Sequence, residues 1–108
     1  MRDDRERIED IREAIDKIEK YSVLGKNEFL GDELIQSWIL LQLQIIGEAA
    51  RSMSDDTCAK YPEIAWRDII DFRNLIVHEY FRIDLKLVWK IVEKELPLLK
   101  KQIKKINN

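Results

Sequence analysis

The chain has 108 residues, 45% hydrophobic and 37% charged, with three glycines, two prolines and a formal net charge of −2. Such a length holds one domain, here residues 1–108, with a core small enough for a subunit interface to matter. The charge argues against a generic polyanion binder, whose affinity comes from many neutralised phosphates, and a single cysteine and a single histidine exclude a Cys/His zinc centre.

Cys58 has no partner for an internal disulfide, which suits a reducing cytoplasm. The opening Met1-Arg2-Asp3-Asp4-Arg5-Glu6 is too charged to begin a signal peptide. The longest uninterrupted apolar run, Trp38 to Leu41, falls far short of the roughly 20 residues that span a bilayer. A cytoplasmic protein without membrane attachment is expected.

In chain order, the first predicted element is a helix from about Asp4 to Tyr21, with Asp3 or Asp4 as its cap. Ile8, Ile11, Ile15 and Ile18 recur at intervals of three and four and form one apolar stripe. Ser22 to Gly31 reads as a loop with a single helical turn around Glu28. Asp32 then caps a helix reaching about Met53, apolar almost all the way round through Leu34, Ile35, Trp38, Ile39, Leu41, Ile45, Ile46 and Ala49. A helix of that kind is central to a bundle or shared with another subunit. Gly47 would let a second backbone approach, and Glu48 beside it is a candidate partner for Arg73, an ordinary exposed glutamate being the alternative.

Ser54-Asp55-Asp56 caps a short helix ending near Tyr61-Pro62, and Trp66 begins the next, with Ile69, Ile70, Leu75, Ile76 and Val77 expected toward the core. Asp84 caps the last helix, running to about Ile106, whose stripe is Leu85, Val88, Val92, Leu96, Leu99, Ile103 and Ile106. Pro97 removes one backbone donor and crowds the carbonyl of Glu93, so a kink is expected there. Lys100, Lys101, Lys104 and Lys105 read as a solvated cationic face that suits the helix dipole. With no strand alternation, repeat or glycine-rich phosphate loop, the fold class is all-α: an up-and-down bundle of four or five helices.

The chemistry concentrates in Arg73-Asn74-Leu75-Ile76-Val77-His78-Glu79-Tyr80. Histidine exchanges protons near neutral pH, and arginine offers a planar, permanent cation to a phosphate oxyanion. A base beside a phosphate clamp is what transesterification of an RNA backbone requires; DNA lacks the 2′-hydroxyl that would attack. Arg73 and His78, five apart, diverge by roughly 140° on one straight helix. Both can act on one phosphate only if the helix ends near His78 or a second copy of the chain supplies one of them. On the residues alone, a polar cluster at a helix end, with His78 hydrogen-bonded and Arg73 ion-paired, is the other reading.

The pattern Arg-x-x-x-x-His-x-Tyr resembles the signature of the HepT family, small toxins of the HEPN superfamily. The resemblance extends over Phe29-Leu30, Ile45-Ile46-Gly47-Glu48-Ala49-Ala50, Tyr61-Pro62-Glu63-Ile64-Ala65-Trp66, Tyr80-Phe81-Arg82-Ile83-Asp84 and Leu96-Pro97-Leu98-Leu99-Lys100. Asp71-Phe72 and Arg82 depart from the glycine and small residues common in relatives. The resemblance implies a helical bundle that pairs as a homodimer with both motifs lining one cleft. It implies a metal-independent endoribonuclease without cofactor, the toxin of a toxin–antitoxin pair. Arg73 and His78 would be catalytic, Asn74 and Glu48 supporting. The implied partner is an MntA-type nucleotidyltransferase antitoxin that adenylylates Tyr80. Two alternatives stay open at this point: a non-catalytic binding subunit of a nucleotidyltransferase complex, and a nucleotide-binding pocket of Arg73, His78 and Tyr80 without turnover.

Overall fold

The computed structural model describes residues 3–106. Met1 and Arg2 of the charged opening, with Asn107 and Asn108, lie outside the described residues. Every element is helical, and no strand occurs among the described residues.

Helix α1 spans Asp4–Ser22. The Asp3 carboxylate accepts the Glu6 N–H at 3.0 Å, satisfying one of the donors that a helix start leaves unpaired. Ile8, Ile11, Ala14, Ile15 and Ile18 are all buried. Gly25 then takes a φ of 97°, a left-handed conformation that glycine adopts without a Cβ clash. Where a loop with one turn is expected, the chain forms α2, Lys26–Gly31. Phe29 explains the difference: it is fully buried and packs 5.6 Å from the Trp89 ring, a long-range contact that local sequence does not announce.

Helix α3 is Glu33–Arg51, its start capped by Asp32, which accepts from Leu34 and Ile35 at 2.8 and 3.3 Å. It packs against both α1 and α5 and forms the bundle's centre. Gln42 on α3 is 2% exposed with Oε1 unpaired among the described residues, a polar group that the apolar reading of this helix overlooks. Ser54 caps α4, Asp55–Lys60. Asp4 accepts hydrogen bonds from the hydroxyls of Ser54 and Thr57, tying the start of α1 to the start of α4.

Helix α5, Trp66–His78, carries the motif. A 3-10 turn, Tyr80–Arg82, follows. Asp84 caps α6, Leu85–Lys90, accepting from Lys86 N–H at 2.9 Å. The chain then widens into a π turn, Ile91–Glu95, before α7, Leu96–Ile106. The Leu96 N–H reaches back five residues to the Ile91 carbonyl. Pro97 lacks an N–H and its ring crowds the Glu93 carbonyl, so the expected disturbance takes the form of a π turn immediately before it. Helix α7 lies beside α1, where Lys100 Nζ meets Glu19 Oε1 at 2.7 Å. The hydrogen bond to Glu19 holds the Lys100 pKa above its ordinary value.

The core is the α1 stripe, one face of α3, and Val88, Val92, Leu96, Leu99 and Ile103. Helix α5 departs from expectation. Ile76 is fully buried, but Leu75 and Val77 are 38% and 43% exposed. On α3, Leu34, Leu41 and Ile45 are exposed as well. Both helices therefore carry apolar residues on sides that the single chain leaves uncovered. Among the described residues, no helix is long and apolar enough to cross a membrane.

Candidate active site

The site begins with a close helix crossing. A Cβ built on Gly47 would lie 2.1 Å from the Arg73 Cβ and 2.6 Å from its Cγ, distances no real side chain tolerates. Glycine in a helix interior costs up to about 1 kcal/mol of propensity, and here it lets the backbone of α5 at Arg73 settle directly on α3.

That crossing brings the Arg73 side chain alongside Glu48, the next residue of α3. Arg73 Nη2 lies 2.9 Å from Glu48 Oε2. Arg73 Nη1 donates to Asn74 Oδ1, also at 2.9 Å. The guanidinium side chain is 20% exposed, so it is shielded and held at both ends yet open to solvent. Two contacts occupy two of roughly five guanidinium donors, and the rest can take a phosphate oxygen. Glu48 also sits 3.9 Å from Arg51 on the wet side of α3.

His78 is the last residue of α5 and is exposed. The helix stops because Glu79 leaves helical geometry, at φ −125° and ψ 30°, while its N–H still closes on the Leu75 carbonyl at 2.8 Å. The following turn is closed by the Arg82 N–H on the Glu79 carbonyl at 2.9 Å, and Arg82 Nε pairs with Glu79 at 3.5 Å. Tyr80 stands on this turn, edge-on to the Phe81 ring at 5.4 Å, and Phe81 itself is 96% exposed.

Of the residues singled out from sequence, Arg73, Asn74 and Glu48 form one bonded cluster. Asn74, expected in a supporting role, accepts a hydrogen bond from Arg73. No hydrogen bond or ion pair among the described residues joins His78 or Tyr80 to that cluster. Sequence reasoning had no signal for the exposed Phe81, since an aromatic after a motif reads equally as core.

An arginine held by two contacts on a helix that ends in an exposed histidine offers the group types that phosphodiester chemistry uses. A family model described as "Ribonuclease HepT-like" matches residues 11–106. The chain is 38% identical over 93 residues to "Putative RNase MJ1380" of Methanocaldococcus jannaschii, covering 86% of this chain and 85% of that one. It is 36% identical over 100 residues to "Probable ribonuclease HepT" of Thermococcus cleftensis, covering 92% and 91%. No solved structure matches. The chain belongs to the HepT-like ribonuclease family of the HEPN superfamily.

Proposed function

We propose that the protein is a metal-independent endoribonuclease toxin whose active site is shared between two copies of the chain. The observation that carries this reading is the Arg73 guanidinium fixed by Glu48 and Asn74 on a helix that ends in exposed His78. The ribose 2′-oxygen attacks the adjacent phosphorus, giving its proton to a base. The 5′-oxygen departs with a proton from an acid, leaving a 2′,3′-cyclic phosphate and a 5′-hydroxyl. His78 serves as base or acid. Arg73 stabilises charge on the phosphate oxygens, with Glu48 and Asn74 fixing its plane.

The roughly 140° between Arg73 and His78 on α5 favours a cleft in which one copy's Arg73 faces the other's His78. Exposed Leu41 and Ile45, one turn apart on α3, continue along that helix toward Glu48, and Val77 lies exposed on α5. They supply an apolar surface for a two-fold interface bordering the site.

Tyr80 is the regulatory position. Tyr80 is exposed on the turn after His78, within reach of a nucleotidyltransferase antitoxin of the MntA type. The phenolic oxygen attacks the α-phosphorus of ATP and pyrophosphate leaves, so AMP on Tyr80 adds charge and bulk at the mouth of the cleft. Both proteins act in the cytoplasm.

The test is complementation of RNA cleavage in EDTA. Arg73→Lys and His78→Ala are each expected to be nearly inactive alone. Mixed, they regain about a quarter of wild-type activity, because half the dimers are mixed and each holds one intact composite site. Recovery of nothing overturns the shared site, and activity that EDTA abolishes overturns the metal-free chemistry. Intact mass after incubation with the antitoxin and ATP tests Tyr80: AMP-sized increments are expected, absent in Tyr80→Phe.

A further inference from the structure

A second concave surface lies on the other flank of the motif helix. It is a groove of about 330 Å³ between α5 and the π turn and α7, with Ile69, Phe72 and Leu99 among its apolar lining. Its charged lining residues are Glu63, Asp68 and Glu95, and no cation lines it. Among the described residues none of these three carboxylates is ion-paired. Gln102 Nε2 donates to the Glu63 carbonyl at 2.8 Å, tying α7 to the segment before α5.

Phe72 in the groove and Asn74 in the arginine cluster are two residues apart, roughly 200° around the helix. Arg73 lies only about 40° around the helix from Ile69, whereas His78 lies about 180° from it, so an occupant of the groove sits beside the arginine cluster and leaves His78 clear. The two sides also differ in charge: one presents a clamped guanidinium, the other three carboxylates around an apolar floor.

We propose that this groove docks a basic amphipathic segment of a partner protein, with apolar side chains on the floor and flanking Lys or Arg residues against Glu63, Asp68 and Glu95. Amphipathic helices lay their apolar anchors into grooves of this kind. Charge complementarity selects the occupant. RNA is repelled by three unpaired carboxylates. A second copy of this chain has a basic helix end at Lys100, Lys101, Lys104 and Lys105, but Lys100 is paired with Glu19, Leu99 and Ile103 are buried in its own core, and Leu98, exposed, already lines its own groove. The proposal therefore takes the segment from another protein, and self-association is the outcome that sedimentation would detect. This inference does not rest on the ribonuclease chemistry.

A random peptide display library selected against the immobilised full chain tests it. The expected outcome is enrichment of peptides pairing Leu, Ile or Phe with Lys or Arg, which perturb the amide resonances of Ile69, Phe72 and Leu99. Affinity should fall at least about tenfold in an Asp68→Lys, Glu95→Lys double variant, since rim charges govern encounter and fit. Both residues are exposed, so the variant should fold, as circular dichroism will check, and RNA cleavage should be unchanged. Enrichment of acidic or uncharged peptides, no enrichment at all, or equal binding by the charge-reversed protein overturns the proposal. So does a change in sedimentation of the double variant, which would make the groove a homodimer face.

Discussion

Helices α1 and α5 are both amphipathic, yet they use their apolar residues differently. On α1 the isoleucine stripe, Ile8, Ile11, Ile15 and Ile18, is at most 2% exposed. On α5 only Trp66 and Ile76 are buried, while Leu75 and Val77 stand in solvent beside the motif. The first helix is built to hold the domain together. The second packs on α3 through Ile76 and the Arg73 crossing yet leaves Leu75, Val77 and His78 in solvent. On the proposed function, stability and chemistry are carried mainly by different helices, joined through α3, which packs on both.

The largest effects break that division from its two ends. Ile15→Ala empties a site 1% exposed and should cost about 2–5 kcal/mol of stability, read as a lower denaturant midpoint, with the remaining folded protein still cleaving RNA. His78→Ala removes an exposed side chain and should change stability by no more than about 0.5 kcal/mol. Its loss appears instead in cleavage, by roughly 10²–10⁴-fold. If His78→Ala unfolds the protein, or Ile15→Ala spares the fold but abolishes turnover by folded molecules, the separation is wrong.

The same division explains what could be read in advance. The helix starts were legible, because Asp3, Asp32, Ser54 and Asp84 act through local hydrogen bonds to N–H groups two or three residues on. The α1 stripe was legible because a single face repeats at helical spacing. Helix α2 was not, since its anchor is the distant Trp89. Nor was the exposure of Leu75 and Val77, because periodicity marks a residue as apolar without saying whether its own chain or another covers it. The Glu48–Arg73 pairing was legible as a candidate because Gly47 beside Glu48 admits a second backbone, while the geometry of the crossing that forms it is a tertiary event. The groove beside Phe72 left no trace in sequence, since its lining comes from separate elements.

An intermediate effect sharpens the comparison at that crossing. Gly47→Ala should gain up to about 1 kcal/mol of helix propensity. The new methyl, however, would meet the Arg73 Cβ at 2.1 Å, and overpacking of this kind costs about 1–3 kcal/mol. The net sign is destabilising. Because the displaced atoms belong to Arg73, cleavage should weaken more than the stability loss alone predicts, in kinetics measured on the folded fraction. Unchanged activity and stability would show that α3 and α5 part easily and that the Glu48–Arg73 pair does not depend on their contact.

The smallest effect lies at the far end of α1, where Asp4 joins this helix to α4. The Ser54 and Thr57 hydroxyls donate to its carboxylate, and the Ser54 bond first, then the Thr57 bond, holds its pKa below the usual carboxylate range. A carboxylate depressed in the folded state contributes stability that is complete above its unfolded pKa of about 3.9. That contribution disappears as pH falls through the lower folded value. Denaturant midpoints should therefore drop from about pH 4 downward more steeply in the wild type than in Asp4→Asn. Near pH 7 the variant should lose no more than about 1.5 kcal/mol, since an amide oxygen can still accept a hydrogen bond. RNA cleavage by the folded protein at neutral pH should be untouched, because Asp4 belongs to the helix that holds the fold and not to the one that carries the chemistry. A variant that cleaves poorly while fully folded would mean that the two ends of the bundle are coupled through α3.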